Sequence, residues 1–304
     1  MVYIKLKENS SIIKEKNSIL DLIFKIKNNF EKIEEKNVED KVILNLPNLK
    51  ERTLEKVSKY MKQNCIGRVC LSNELLDNEK MRKFMEEENI KVFDGKWLFK
   101  HLLIKTLEYI ATSKKERIEY QEISMLTNDI NEIIAYNIKE IASRVKIFNI
   151  VTENEKKFKK IEKELYTEKG IILNINNNYK KSLIKSDIIL NFDFGEEEVN
   201  RYILPKKACI INLKDKIKIN SKAFDGININ FYEIPLPRKY LKDIGEFKDF
   251  DSSILYESFI YKNTNPVNIS KELDFDEINI KFLDGIKGKI RKNEYLNLSK
   301  KIAN

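Results

Sequence analysis

From residue 122 onward, short apolar runs alternate with longer amphipathic stretches, and this alternation limits the fold more than any motif does. "EISMLT" reads as a strand, "INEIIAYNIKEIAS" as a helix with Ile130, Ile133, Ile134, Ile138 and Ile141 on one stripe, and "VKIFNIV" as a strand again. "EKKFKKIEKELY" turns Phe158, Ile161 and Leu165 to one face; the strand "GIILNI", a short helix "NYKKSLIK" and the strand "DIILNF" follow. "ACIINL" (208–213) and "ININFYEI" (227–234) complete six strands before "PLP" stops the pattern. Parallel neighbours need a crossover to return the chain, and the returning helix covers the sheet. The expected product is an open, mostly parallel α/β sheet.

A smaller alternation precedes it. "VYIKL" (2–6) alternates like a strand, and residues 11–35 place Ile12, Ile19, Ile23, Ile26, Phe30 and Ile33 at helical spacing. "KVILNLP" is a strand closed by Pro47, and "LKERTLEKVSKYMKQN" a helix with Leu54, Val57, Tyr60 and Met61 on one face. "RVCLS", "NEKMRKFMEEEN" and "IKVFDG" add a strand, a helix and a strand ending at Gly95; "KWLFKHLLIKTLEYIATS" (96–113) reads as one apolar helix, and the polar "KKERIEY" as a boundary. The sequence therefore predicts a small α/β domain over 1–113, a larger mostly parallel domain over 114–237, and a C-terminal segment, 238–304, folding back on the first domain.

The segment 122–213 resembles the Rossmann-like nucleotide domain of two-domain dehydrogenases of the shikimate dehydrogenase and glutamyl-tRNA reductase type. "VKIFNIVTENEKKFKKIEKEL" resembles their second strand, its polar tip and the following helix, and "KSDIILNFDF" the strand that ends near the nicotinamide. The resemblance implies NAD or NADP and hydride transfer. In such sheets the ligand lies beyond the carboxyl ends of the strands, which makes a candidate rim of Thr127, Asn128, Asp129, Thr152, Glu153, Asn154, Asn174, Asn176, Asn191 and Asp193. Glu153, at the tip of the second strand, stands where family members hold the ribose hydroxyls. Turn chemistry explains asparagines at strand ends equally well.

The departure is at the phosphate loop. Where the family has G-x-G-x-x-G this chain has "TNDINE", with Thr127, Asp129 and Glu132 in the glycine positions. Those glycines permit the tight turn and the close approach of backbone to pyrophosphate. Asp129 and Glu132 instead bring negative charge to a helix start, where they fit a capping box with Asp129 as N-cap. The chain has eight glycines in 304 residues, against roughly 7% in ordinary proteins, and no GxG. "DGIKGK", with Gly285 and Gly288, reads as a turn.

Composition narrows the remaining classes. No apolar run reaches the roughly 18 residues of a membrane span, and "MVYIKLKENSSIIKEK" lacks the form of a secretory signal, so the expected location is the cytoplasm. Cys65, Cys70 and Cys209, without a CxxC, read as buried free thiols, and no metal site is expected. His101, the one histidine, reads as a packing or surface residue of its helix, and Trp97 as core between the domains. Residues 201–250 carry 11 basic and 6 acidic side chains, against 9 and 10 in residues 151–200. The local excess, centred on Lys206, Lys207, Lys214, Lys216, Lys218 and Lys222, reads as a solvated face. Three function classes follow. The first is a protein of interaction or regulation with a degenerate dinucleotide site, no cofactor, and an unidentified protein or small ligand as partner. An NAD(P)-dependent oxidoreductase with an unusual loop is the second, and a nucleic-acid-associated protein the third.

Overall fold

The computed structural model describes residues 1–7, 32–237, 240, 245–263 and 278–299. The chain forms two compact units, one of residues 1–94 and 236–266, the other of residues 95–235 and 267–304.

The first unit is a five-stranded sheet in the order β2-β3-β1-β4-β5. Its strands are β1 (Val2–Leu6), β2 (Glu34–Val38), β3 (Lys41–Leu46), β4 (Arg68–Leu71) and β5 (Lys91–Val92), all parallel except β2. Helices α1 (Glu51–Gln63), α2 (Asn73–Leu76) and α3 (Glu79–Glu87) connect them. Leu54, Val57 and Met61 of α1 and Met81, Phe84 and Met85 of α3 pack on Val2, Ile4, Leu44, Leu46, Val69 and Leu71. Each such side chain, fully buried, contributes about 1.5–3 kcal/mol relative to exposure. The expected helix over 11–35 lies outside the described residues through 31. Its last two residues, Glu34 and Glu35, belong to β2, because they pair antiparallel with Asn45 and Leu44. The charged, exposed "EEKNV" suits a sheet edge, where it discourages pairing with another chain.

The other face of this sheet is covered from far along the chain. Tyr3, fully buried, meets the rings of Phe247, Phe250 and Phe259 edge-on at 4.8, 5.8 and 6.2 Å. Its hydroxyl hydrogen-bonds Ser258 Oγ at 3.0 Å. Aromatic edge contacts add about 0.5–1.5 kcal/mol each beyond area burial. This is why residues 236–266 belong to the first unit. The expected return of the C-terminal segment concerned all of 238–304, whereas residues 267–304 join the second unit.

The second unit starts at Gly95, not after 113, because the helical stretch behind Gly95 is fastened to the larger sheet. Lys96 Nζ donates to the carbonyls of Asn212 and Asn230 at 2.8 and 2.5 Å, Phe99 stacks on Tyr232 at 4.5 Å, and Tyr232 Oη donates to Gly95 O. That stretch is two helices, α4 (Lys96–His101) and α5 (Leu103–Ser113), where one was expected. The sheet then runs β6 (Glu122–Leu126), α6 (Glu132–Ala142), β7 (Ile147–Val151), α7 (Glu155–Lys169), β8 (Asn174–Asn176), β9 (Ile188–Asn191), α8 (Glu196–Asn200), β10 (Cys209–Asn212) and β11 (Ile227–Glu233). Residues 178–182 form a turn in place of the expected helix "NYKKSLIK": Asn178 Oδ1 accepts from the amides of Lys180 and Lys181, a local bond that competes with helix.

Strands β6 to β11 are parallel and lie in the order β11-β10-β9-β6-β7-β8. This is the doubly wound order of a Rossmann-like sheet, in which the chain moves one way from β6 to β8 and then restarts on the other side at β9. After β11 the chain supplies α9 (Ser252–Asn263) to the first unit, then extends the second sheet with the antiparallel hairpin β12 (Phe282–Gly285) and β13 (Gly288–Lys289), and ends in α10 (Lys292–Leu298). The chain is thus a two-domain α/β protein with a Rossmann-like second domain. Among the described residues no helix is long and apolar enough to cross a membrane.

Other expectations meet local corrections. Cys70 and Cys209 are buried but Cys65 is exposed, so only two thiols are core groups. Trp97 is half-buried and packs edge-on against His101, 4.8 Å between ring centroids, so it is not a core residue. His101 is 7% exposed and neither ring nitrogen has a hydrogen-bond partner. Burial, and next the charge of Lys100, lowers its pKa from 6.5 to about 4. The unfolded chain therefore takes up a proton that the fold refuses: stability is fully present above pH 6.5 and falls as pH drops toward 4, by about 3 kcal/mol over the full window. Urea unfolding of His101→Leu between these limits should show a flatter pH profile than the wild type; equal slopes would refute this account. In the first unit, Phe247→Ala should cost about 3–5 kcal/mol, as for other large buried rings, read in the same unfolding experiment.

Candidate functional site

The switch point of the larger sheet lies between β6 and β9, so the loops that follow these strands meet there. After β6 come Thr127, Asn128 and Asp129. After β9 the chain turns sharply on Asn191, whose Oδ1 accepts from Phe194 N at 3.0 Å while Nδ2 donates to Phe194 O and to Asn212 Oδ1. Asn191 is 2% exposed and is a turn-former, not part of an open rim. What its turn presents is Asp193.

Asp193 fills the loop after β6. Its carboxylate accepts from Asn128 N at 3.0 Å and from Asp129 N at 3.2 Å, and shares the Thr127 hydroxyl, at 3.1 Å, with Asp129 O at 2.8 Å. Successive backbone amides converging on one point form an anion-binding concavity. In a dinucleotide domain that concavity belongs to the ligand's phosphate; in this chain a carboxylate of the protein lies in it. Burial is the largest influence on Asp193 and raises its pKa. The bonds from Asn128, Thr127 and Asp129 pull it back, and Glu198 adds a smaller upward push. The loop thus holds its carboxylate against a desolvation cost that the hydrogen bonds only partly offset.

The helix behind the loop differs from expectation. Helix α6 begins at Glu132, and its N-cap is Asn131, whose side chain accepts from Ile134 N at 3.0 Å. The capping box of Asp129 and Glu132 does not form, because Glu132 is the first residue of the helix rather than the third. Asp129 points elsewhere and pairs with Lys157 Nζ of α7 at 2.9 Å, and that bond chiefly lowers its carboxyl pKa. The expected outcome, a helix start satisfied from within, holds through Asn131. The residue responsible stood two places further on than the sequence reading placed it.

Asn128 ties the neighbouring tip into the same cluster. Its Oδ1 accepts from Glu153 N at 2.8 Å and from Thr152 Oγ1 at 3.4 Å, and its carbonyl accepts from Asn154 Nδ2 at 3.2 Å. Tyr179 Oη donates to Glu153 Oε1 at 3.3 Å. Thr127, Asn128, Asp129, Thr152, Glu153 and Asn154 therefore form one hydrogen-bonded group around Asp193. Asn174 and Asn176 lie on β8, where Asn174 donates to Asn149 Oδ1 at 2.8 Å and the Asn176 carbonyl accepts from Thr152 N at 3.1 Å, so that Asn176 borders the group through its backbone. The pairing that organises the group joins residues 65 apart in sequence, Asn128 and Asp193. Only the strand order predicts their meeting, and the strand order is not legible in the local pattern.

The lysines at 206, 207, 214, 216, 218 and 222 are all exposed. Lys287 and Lys289 flank Gly288, whose φ of 90° favours glycine in the tight β12-β13 turn.

No family model and no curated protein matches the sequence. Solved structures that resemble the chain include a putative D-3-phosphoglycerate dehydrogenase from Ralstonia solanacearum, at 7% identity over 90% of this chain and 95% of that one, TM-score 0.34. The catalytic subunit of M. jannaschii aspartate transcarbamoylase aligns at 14% identity over 90% and 86%, TM-score 0.29. L-tryptophan dehydrogenase from Nostoc punctiforme aligns at 8% identity over 69% of this chain and 56% of that one, TM-score 0.30. Likeness at this level carries no assignment of activity; the class of the second unit rests on its strand order.

Removing the carboxylate tests the loop directly. Asp193→Ala strands the amides of Asn128 and Asp129, while the Thr127 hydroxyl keeps its bond to Asp129 O, and should cost about 1–3 kcal/mol, with part of the loss recovered by added sulfate or phosphate. A variant as stable as the wild type and indifferent to both anions would contradict the role given to Asp193.

Proposed function

We propose that the second unit is a Rossmann-like domain whose dinucleotide site is occupied from within, and that the chain acts in interaction or regulation without a nucleotide cofactor. The observation that carries this reading is the Asp193 carboxylate on the amides of Asn128 and Asp129. A pyrophosphate would have to displace it, and at the present geometry the two anions would compete for the same donors. Asp129 adds a second negative charge beside the loop, offset in part by Lys157. The partner on this reading is a protein or small ligand recognised elsewhere, in the cytoplasm.

One observation favours a second reading, an NAD(P)-dependent oxidoreductase of the shikimate dehydrogenase-like type. Glu153 follows β7, the second strand of the doubly wound order, where an acid can hold ribose hydroxyls. On this reading Asp193 swings out when the cofactor enters.

The two readings separate in a thermal-shift experiment. A cofactor present at 100 times its dissociation constant stabilises by about 2.7 kcal/mol, a rise of roughly 5–11 °C for a domain of this size. Millimolar NADH and NADPH should leave the wild-type melting temperature unchanged. A rise of several degrees with either would overturn the proposal in favour of the oxidoreductase.

A further inference from the structure

The carboxyl ends of the smaller sheet hold a cavity of about 570 Å³, lined by Lys5, Leu6, Lys7, Asn48, Ser72, Lys248 and their neighbours. Its position is informative. From β1 the chain builds β3 on one side and then β4 on the other, so the ends of β1, β3 and β4 surround the switch point of this sheet. Open α/β sheets place ligands at that point for a geometric reason: loops leaving in opposite directions part and leave a crevice between them. The cavity walls come from the residues just after each of these strands.

The wall carries charges of both signs. Lys5, Lys7 and Lys248 line it together with Glu74 and Asp249. Lys5 is held in place by Asp249 Oδ2 at 2.7 Å, with its side chain only 13% exposed; Lys7 pairs with Glu34 at 2.8 Å. A lysine kept this close to the sheet loses little further freedom when an anion arrives. Ser72 supplies the second, independent observation. It lines the cavity, is 2% exposed, and its hydroxyl has no hydrogen-bond partner. The backbone of Ser72 is fully used, its amide by Ile4 O and its carbonyl by Leu75 N and Leu76 N, so the hydroxyl is the one group left over. A buried hydroxyl without a partner costs free energy, and a ligand acceptor removes that cost.

We propose that this cavity is a binding site for a small organic anion, with Ser72 Oγ donating to a carboxylate or phosphate oxygen and the lysines supplying the counter-charge. The site belongs to the first unit and does not depend on the reading of the Asp193 loop. Asn48 has a supporting part: its Oδ1 accepts from Lys50 N and Thr53 Oγ1, both at 2.9 Å, and so fixes the wall where α1 begins.

The test is isothermal titration of the full chain at low salt with inorganic phosphate and with succinate, repeated on Ser72→Ala and Lys248→Gln. At least one probe should bind the wild type in the millimolar range, more weakly as ionic strength rises. Ser72→Ala should weaken binding at least about tenfold, the value of one hydrogen bond to a charged acceptor, while leaving stability unchanged or higher, because the deleted hydroxyl has no partner in the free protein. Lys248→Gln should weaken it independently of any effect on the fold. Binding of phosphate alone identifies a phosphate ester as the ligand class, and binding of succinate alone a carboxylate. No heat from either probe up to about 20 mM, where a millimolar site is near saturation, would overturn the proposal. So would equal binding by the wild type and Ser72→Ala.

Discussion

The second unit is organised around a half-buried carboxylate. Asp193 satisfies two backbone amides and is within reach of the Thr127 hydroxyl at the point where the winding of the sheet reverses. Without an acceptor there, the loop after β6 would leave donors facing one another with no partner, and Asn128 would lose the position from which it holds Thr152, Glu153 and Asn154. A loop with converging amides requires an anion. The doubly wound topology creates the requirement, and residue 193 meets it.

The alternation of apolar runs and amphipathic stretches made the architecture legible, because a parallel strand buried on both faces and a helix with one apolar stripe leave distinct periods in the sequence. Ile134, Ile138 and Ile141, and Phe158, Ile161 and Leu165, lie buried where that periodicity puts them. Local chemistry was legible only in kind. The run "NDINE" contains several competent capping residues, and which one caps α6 depends on where the helix starts, which packing decides. The N-cap therefore fell on Asn131 rather than Asp129. Contacts between distant segments were not legible at all. Asp193 on Asn128 and Tyr3 on Phe247 join segments that no local window contains, and the same blindness misplaced the boundary at 113, since Lys96 and Phe99 reveal their allegiance only through Asn212, Asn230 and Tyr232.

Both units hold buried polar groups near their strand ends. In the second, asparagines bond one another, Asn212 Nδ2 reaching Asn228 Oδ1 at 2.6 Å and Asn230 Oδ1 at 2.9 Å, while Asn230 Nδ2 has no partner. Such a network fixes strand ends without outside help. In the first, the equivalent ends leave Ser72 Oγ unsatisfied beside a lysine-walled cavity.

The discontinuity of the first unit has a consequence for synthesis. Tyr3 is made almost at once, but Phe247, Phe250 and Ser258, which cover it, come about 250 residues later. At a ribosomal rate of about 5–20 residues per second, one face of the smaller sheet waits roughly 12–50 s for its cover. During that interval the larger unit emerges complete in its parallel strands, so it is the unit that can fold first, although it is second in the chain. The nascent sheet of the first unit, apolar on its open side, is the stage of the molecule's life at which a chaperone has most to protect.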